Sequence, residues 1–310
     1  MVLPIRATPE SQERLEIARF LLDGIPIAPD EADAVLVGSS ARGVADHYSG
    51  IELYFWTDDP PDADTCETLL AEAGVDVESG GAIADGSVAF SGWFEGVLLE
   101  TIWQTRAARD EQIRAVLAGE VIDHDSLVWL WQIVHALPLN AAESIRQWQR
   151  RLRSYPEALR AALIADAAAA WAAPTWYPLS IVRTAVLGER AAARSGGVMA
   201  LSGRLHDELE RMLRVLFAIN RQWEPDFRWI SDESERLPLK PPRLLERMDQ
   251  VFSKASPIER THLCLQLILD TLRLVPDHFN VARARNQVEA ALYPERLLES
   301  RGSSSDDDEE

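Results

Sequence analysis

Two short stretches of this chain carry residues that could bind a phosphate group and a metal ion. In residues 34–43 an apolar run rich in valine stops at Gly38-Ser39, a pattern typical of a buried strand that feeds a tight turn. A second strand is predicted from Ile51, and strand alternation places Glu52 on the opposite face from Ile51. Backbone N–H groups at a helix start suit a phosphate, and a carboxylate beside them suits magnesium. We therefore expect the turn and Glu52 to share one rim of a sheet.

The same residues resemble the signature of the nucleotidyltransferase superfamily, the polymerase-beta-like fold that includes bacterial antibiotic nucleotidyltransferases. That signature is an apolar strand, Gly-Ser, Ala-Arg-Gly and Ser-Asp-apolar-Asp/Glu, with one more carboxylate on a later strand. The matching residues are Gly38, Ser39, Ala41, Arg42, Gly43, Ser49, Glu52 and Glu100. The departure is Gly50, which stands where the family has its first metal-binding Asp.

The resemblance implies a nucleotide-binding role for the residues around the turn. The backbone at Gly38 and Ser39 would bind the phosphates of a nucleoside triphosphate, and Arg42 and Ser49 would assist. The structural alternatives stay open. The turn is also a plausible plain strand-to-helix connection, and for Arg42 the bracing of the short helix is slightly favoured over contact with phosphate.

Two carboxylates, Glu52 and Glu100, would form both the metal site and the catalytic pair. The resemblance implies magnesium as the cofactor, and Glu100 could instead activate the acceptor hydroxyl as a general base. Without the resemblance, each is a solvated or arginine-paired carboxylate on a strand. Asp46 or His47 could supply the ligand missing at Gly50, although most loop residues of these types are only solvated.

The chain is strongly acidic, with a formal net charge of -19 over 310 residues. Nucleic-acid binding depends mainly on the neutralisation of phosphates by Lys and Arg, so this charge counts against a DNA or RNA substrate. A small or cationic acceptor is more compatible with it. The simplest interpretation is that the charge keeps the protein soluble.

The sequence favours a cytoplasmic protein without a membrane partner. No apolar run approaches the roughly 18 residues that a membrane-spanning helix needs. The N-terminal residues lack the apolar core of a signal peptide. Cys66 and Cys264 lie far apart, without metal-ligand spacing, and both are expected to be reduced thiols on helices.

The hydrophobic pattern changes after the first hundred residues. Before that point strand-like runs alternate with helices, of which the first should begin after a cap at Thr8. Beyond it, apolar residues recur at helical spacing. We therefore predict an α+β fold, with a nucleotidyltransferase-like mixed sheet and helices in residues 1–105 and an all-helical domain in residues 106–300. Residues 301–310 are highly charged and are predicted to be a disordered acidic tail.

Several local elements of the first domain are also predicted. Asp64 should cap a helix over residues 65–73, and Gly80-Gly81 should mark a turn. Strands are expected over residues 87–90 and 97–103, with a hairpin-like connection at residues 93–96.

A second segment carries a weaker resemblance. Residues 216–225 and then Phe227-Arg228-Trp229 are similar to the helix-and-turn segment of bacterial nucleotidyltransferases that have a helical domain of this kind. The tryptophans in it would line a cleft or, by default, pack in the core.

Two functions follow from these predictions. The first is a magnesium-dependent enzyme that transfers a nucleoside monophosphate from a nucleoside triphosphate to a hydroxyl of a small-molecule acceptor. The second is a catalytically inactive nucleotidyltransferase-like protein that binds a nucleotide or a partner. Gly50 favours the second, because a metal site without one carboxylate loses both a ligand and a charge.

Overall fold

A mixed sheet forms the N-terminal part of the fold, as predicted. Among the described residues its strands lie in the order β3-β4-β5-β2-β1-β6. Their bounds are β1 Ala32–Val37, β2 Ile51–Thr57, β3 Asp76–Ala82, β4 Val88–Phe94, β5 Val97–Thr105 and β6 Leu137–Pro138. Strands β2 and β5 are parallel, and the other neighbouring pairs are antiparallel.

Helices flank the sheet and form the whole C-terminal region, which confirms the predicted fold class. The helices near the sheet are α1 Pro9–Gly24, α2 Gly38–Arg42, α3 Ala63–Glu72, α4 Arg106–Leu117, α5 His124–His135 and α6 Glu143–Arg151. The C-terminal helices are α7 Glu157–Trp171, α8 Ile181–Ala193, α9 Val198–Asn220, α10 Ile230–Glu235, α11 Leu244–Ser253, α12 Pro257–Leu274 and α13 Ala282–Ala291, with a 3₁₀ turn at Phe227–Trp229.

The computed structural model describes residues 3–4, 6–25, 31–83, 86–178, 180–194 and 196–293. The chain forms two compact units. The sheet unit consists of Met1–Val116 and Asp125–Ser154, and the helical unit of Leu117–His124 and Tyr155–Glu310. The predicted domain limits stay predictions, and the acidic tail at 301–310 lies outside the described residues.

One face of the sheet is buried under helices α1 and α3. Helix α1 begins as predicted, because the Thr8 side chain accepts a hydrogen bond from the N–H group of Ser11 at 3.2 Å. The core under these helices consists of alternate strand residues and apolar helix residues, among them Leu15, Leu21, Leu53, Phe55, Leu70, Phe90, Leu99 and Trp103. This burial of a continuous apolar face is the main stabilising contribution to the sheet unit.

The opposite face of the sheet is covered only in part. Over β2, the buried rings of Tyr54 and Trp56 contact Trp129 of α5 and Trp148 of α6, at centroid distances of 4.9 and 5.1 Å. Over β4 and β5 the alternate residues are half-buried or exposed. We call this part the outer face; its residues are Ala89, Ser91 and Trp93 of β4 and Leu98, Glu100 and Ile102 of β5.

Three local predictions were wrong. Gly80 and Gly81 lie inside strand β3, which pairs with β4. This exposed edge strand consists mainly of glycines and polar residues, so its sequence shows no strand pattern. The hairpin turn is formed by Glu95 and Gly96 alone, with φ angles of 50° and 82°, and the strands continue up to it. Helix α3 is capped by Asp62 and not by Asp64, because the Asp62 carboxylate accepts from Thr65 N–H at 2.8 Å.

Helix α12 is the central helix of the helical unit. It packs against α8, α9, α11 and α13, and the predicted cap at Ser256 accepts a hydrogen bond from Glu259 N–H at 3.3 Å. Cys264 on α12 and Cys66 on α3 are both buried free thiols, and burial raises the pKa of Cys66 to about 12. Within the described parts of the chain, every helix is too short or too polar to span a membrane.

Candidate functional site

Gly38 is the residue at which β1 ends and α2 begins, and the structure gives two reasons for a glycine there. Its φ angle is +69°, in the left-handed region that favours glycine. A Cβ atom at this position would lie 2.5 Å from Oε1 and 2.8 Å from Cδ of Glu52. The carboxylate of Glu52 therefore lies directly against the turn that the sequence singled out.

Glu52 and Glu100 are register neighbours on the parallel strands β2 and β5. Neighbouring strands are about 4.8 Å apart, and residues in register lie on the same face of a sheet. The Glu52 side chain is half-buried, whereas Glu100 is exposed on the outer face. Two carboxylates on the same face of neighbouring strands are a donor set of the kind that binds a hard cation.

The loop between α2 and β2 is fastened to the start of α1. The hydroxyl of Thr8 donates to the carbonyl oxygen of Ala45 at 2.7 Å, and Nε of Arg14 donates to the carbonyl oxygen of Ser49 at 3.2 Å. Arg14 is buried although it carries a charge. These bonds connect the loop to α1 at the point where the chain enters β2.

Asp46 and Ser49 hydrogen-bond to each other within this loop. The Ser49 hydroxyl donates to Oδ1 of Asp46 at 2.8 Å, and the same oxygen accepts from the N–H group of Tyr48 at 3.0 Å. The bond from Ser49 is the main cause of a lowered pKa at Asp46. One oxygen of Asp46 is thus occupied by two donors, and the roles predicted for Asp46 and Ser49 stay predictions.

Arg42 packs against an aromatic ring of the sheet unit. Its guanidinium carbon lies 4.6 Å from the ring centroid of Trp131 on α5, in cation–π geometry. This contact fastens the short helix α2 to α5, which agrees with the bracing role. Contact with a phosphate stays a prediction.

A close contact with strand β5 explains why position 50 is a glycine. A Cβ atom at this position would lie 2.8 Å from the backbone carbonyl oxygen of Leu98 and 3.4 Å from Leu98 Cβ. A contact below 3.0 Å with backbone forces a shift of the strand. The absence of a carboxylate at this position is therefore coupled to a close approach between the start of β2 and strand β5.

A second group of potential ligands lies in the helical unit, where the sequence analysis predicted no site. Nδ1 of His124 lies 2.9 Å from Oε1 of Glu224 and 3.9 Å from Oε1 of Glu210. Arg214 contacts both carboxylates, with Nη2 2.7 Å from Glu210 Oε1 and Nε 3.4 Å from Glu224 Oε2. The Glu224 side chain is only 3% exposed. In the sequence, the charged residue Glu224 between Trp223 and Pro225 could have indicated this cluster.

Groups of opposite charge face one another in this cluster. The hydrogen bond to Glu224 is the main cause of a raised pKa at His124, and the negative charges of Glu224 and Glu210 add to it. Burial and Arg214 act in the opposite direction. The donor atoms of His124, Glu210 and Glu224 lie within 4.8 Å of one another. When His124 is protonated, its imidazolium and the Arg214 guanidinium together balance the two carboxylates without a metal ion.

We expect Gly50→Ala to lower the free energy of unfolding by about 1–3 kcal/mol, the usual cost of forcing an extra carbon into a packed site. Urea unfolding of the two proteins measures the change. The matched control is Gly203→Ala on α9, where a Cβ atom meets no other atom within 4 Å. That control should be neutral or stabilising by up to about 1 kcal/mol. Equal stability of Gly50→Ala and wild type would contradict this expectation, because it would show that the strand can shift away from the added Cβ atom at no cost.

The raised pKa of His124 predicts a pH-dependent contribution to stability. Because folding favours the protonated imidazole, the contribution is complete below about pH 6.5 and is lost as the pH rises through the folded-state pKa. The stability difference between wild type and His124→Gln in urea unfolding should therefore be larger at about pH 5.5 than at about pH 8.5. His278→Gln, at an exposed histidine, is the control. A pH-independent difference for His124→Gln would contradict this account.

No protein-family model and no curated protein matches the chain. Among solved structures, the chain is similar to a nucleotidyltransferase-like protein from Exiguobacterium sibiricum 255-15. The identity is 11% and the TM-score 0.38, and the match covers 87% of this chain and 74% of that chain. A likeness of this size supports no conclusion about activity, so the functional argument rests on the residues of the site.

Proposed function

We propose that this protein binds a nucleoside triphosphate with magnesium and transfers its nucleoside monophosphate to a hydroxyl of a small-molecule acceptor. The observation that carries the proposal is the pair Glu52 and Glu100, in register on parallel strands, with Glu52 against the Gly38 turn. The resemblance of these residues to the nucleotidyltransferase signature supports the same interpretation.

The donor atoms fit magnesium. Carboxylate oxygens are its preferred protein ligands, and magnesium in nucleotide sites is commonly held by one or two carboxylates together with the phosphates. Glu52 and Glu100 would therefore suffice as protein ligands without a side chain at position 50. When bound, the ion would neutralise charge on the phosphates during an in-line displacement.

The residues of the chain would position the nucleotide. Gly38 has no side chain and Ser39 has a short one, so phosphate oxygens can approach the backbone N–H groups there. The carboxylate of Glu52 lies against this turn, and a phosphate there would be repelled unless a cation lay between them. Triphosphate binding should therefore require the divalent ion.

In place of binding the metal, Glu100 could act as a general base, and it has the exposure that this role needs. Its side chain is exposed on the outer face, where an acceptor hydroxyl could approach it and transfer its proton to the carboxylate. The net charge of -19 favours a small acceptor over a nucleic acid, which would be repelled. This supports the choice of a small-molecule acceptor.

The alternative function is binding without catalysis. Gly50 favours it, because a Cβ atom there would press on the Leu98 carbonyl and the strand has no place for a third carboxylate. One measurement distinguishes the two functions. With a nucleoside triphosphate labelled at the α-phosphate, an enzyme transfers the label to hydroxyl-bearing small molecules, whereas a binding protein retains the triphosphate intact.

We expect Glu52→Gln and Glu100→Gln each to weaken binding of the magnesium–nucleotide complex at least about tenfold, because each removes a charge that a hard cation requires. Calorimetric titration with magnesium and each of the four common nucleoside triphosphates measures the effect.

The control for this experiment is Glu67→Gln, which makes the same charge change at an exposed position on α3. It should bind as wild type does. Normal magnesium–nucleotide binding by both site variants, in folded protein, would remove Glu52 and Glu100 from the metal site and leave the proposal without support.

A further inference from the structure

Trp93 has a large apolar side chain that is exposed to solvent on the outer face. Its neighbours in strand β4, Gly92 and Phe94, are buried, whereas Trp93 is 44% exposed. On the same face it is the register partner of Leu98, which is half-buried. The indole ring and Leu98 thus form an apolar surface on two strands whose other face is buried.

The orientation of the indole ring is fixed by a hydrogen bond. Nε1 of Trp93 donates to Oε2 of Glu78 on strand β3 at 3.3 Å. The pairing of β3 with β4 is irregular between Val77 and Ser79, so Glu78 is the residue at the bulge. Bulges often redirect a side chain beside a functional site. Here the bulge residue holds the polar edge of an exposed aromatic ring.

The carboxylate pair lies next to this ring. Glu100 is two residues beyond Leu98 on β5, so it is the diagonal neighbour of Trp93, within reach of an aromatic side chain. Glu52 follows on the next strand, at the Gly38 turn. The order across the sheet is therefore turn, first carboxylate, second carboxylate and aromatic ring.

We propose that Trp93 is the platform on which the nucleobase of the bound nucleoside triphosphate stacks. This inference rests on the proposed function, because the phosphates must lie at Gly38 and the carboxylates for the base to extend towards β4. An indole face attracts any nucleobase through its π surface, and stacking discriminates little between bases. A stacking subsite at Trp93 would therefore have little base selectivity.

The test separates the base from the phosphates by the use of two probes, magnesium–ATP and magnesium–tripolyphosphate. Wild type should bind ATP more tightly than tripolyphosphate. Trp93→Ala should weaken ATP binding about tenfold, the size of one lost base–aromatic stack, and should leave tripolyphosphate binding unchanged. Trp93→Phe should retain most of the ATP affinity. Trp176→Ala, at a tryptophan 74% exposed in the helical unit, is the matched control and should bind both probes as wild type does.

Three results would overturn the inference. Unchanged ATP affinity in Trp93→Ala would show that the base lies elsewhere, and tripolyphosphate binding would still support the proposed function. Equal weakening of both probes would show that Trp93 only maintains the sheet. Binding of neither probe by wild type would overturn the proposed function as well.

Discussion

The parallel register of β2 with β5 is the constraint on which the proposed site depends. The parallel pairing of β2 with β5 brings Glu52 and Glu100 into register, and the Gly38 turn holds the Glu52 carboxylate on its other side. In the proposed site a phosphate at the turn would add a further negative charge beside these carboxylates. A divalent cation would offset that charge. The buried apolar face under α1 and α3 stabilises the sheet that carries the pair.

The glycine at position 50, where a carboxylate was expected, has a steric explanation. A side chain there would meet the Leu98 carbonyl, so the strand geometry and the residue depend on each other. In the proposed site the ligands would be two protein carboxylates and the phosphates of the nucleotide. Only Oδ1 of Asp46 accepts the hydrogen bonds from Ser49 and Tyr48, so a role for its other oxygen stays a prediction. We propose that the magnesium ion arrives together with the triphosphate.

The sequence predicted the parts of the fold that depend on local pattern. The strand and turn at Gly38, the Thr8 cap and the all-helical C-terminal region follow from hydrophobic spacing and capping chemistry. Strand β3 was missed because an exposed edge strand has no apolar alternation. The contact of Gly50 with Leu98 and the pairing of His124 with Glu224 join residues far apart in the chain. Only tertiary structure reveals such contacts.

The most direct test of the central claim is calorimetric titration of the wild-type protein with a nucleoside triphosphate, in the presence of magnesium and again with the metal removed by EDTA. This account predicts one nucleotide bound per chain with magnesium and no measurable binding without it, because the carboxylates beside Gly38 repel the bare triphosphate. Equal affinity in the two conditions would contradict the account, since the carboxylate pair would then have no part in nucleotide binding.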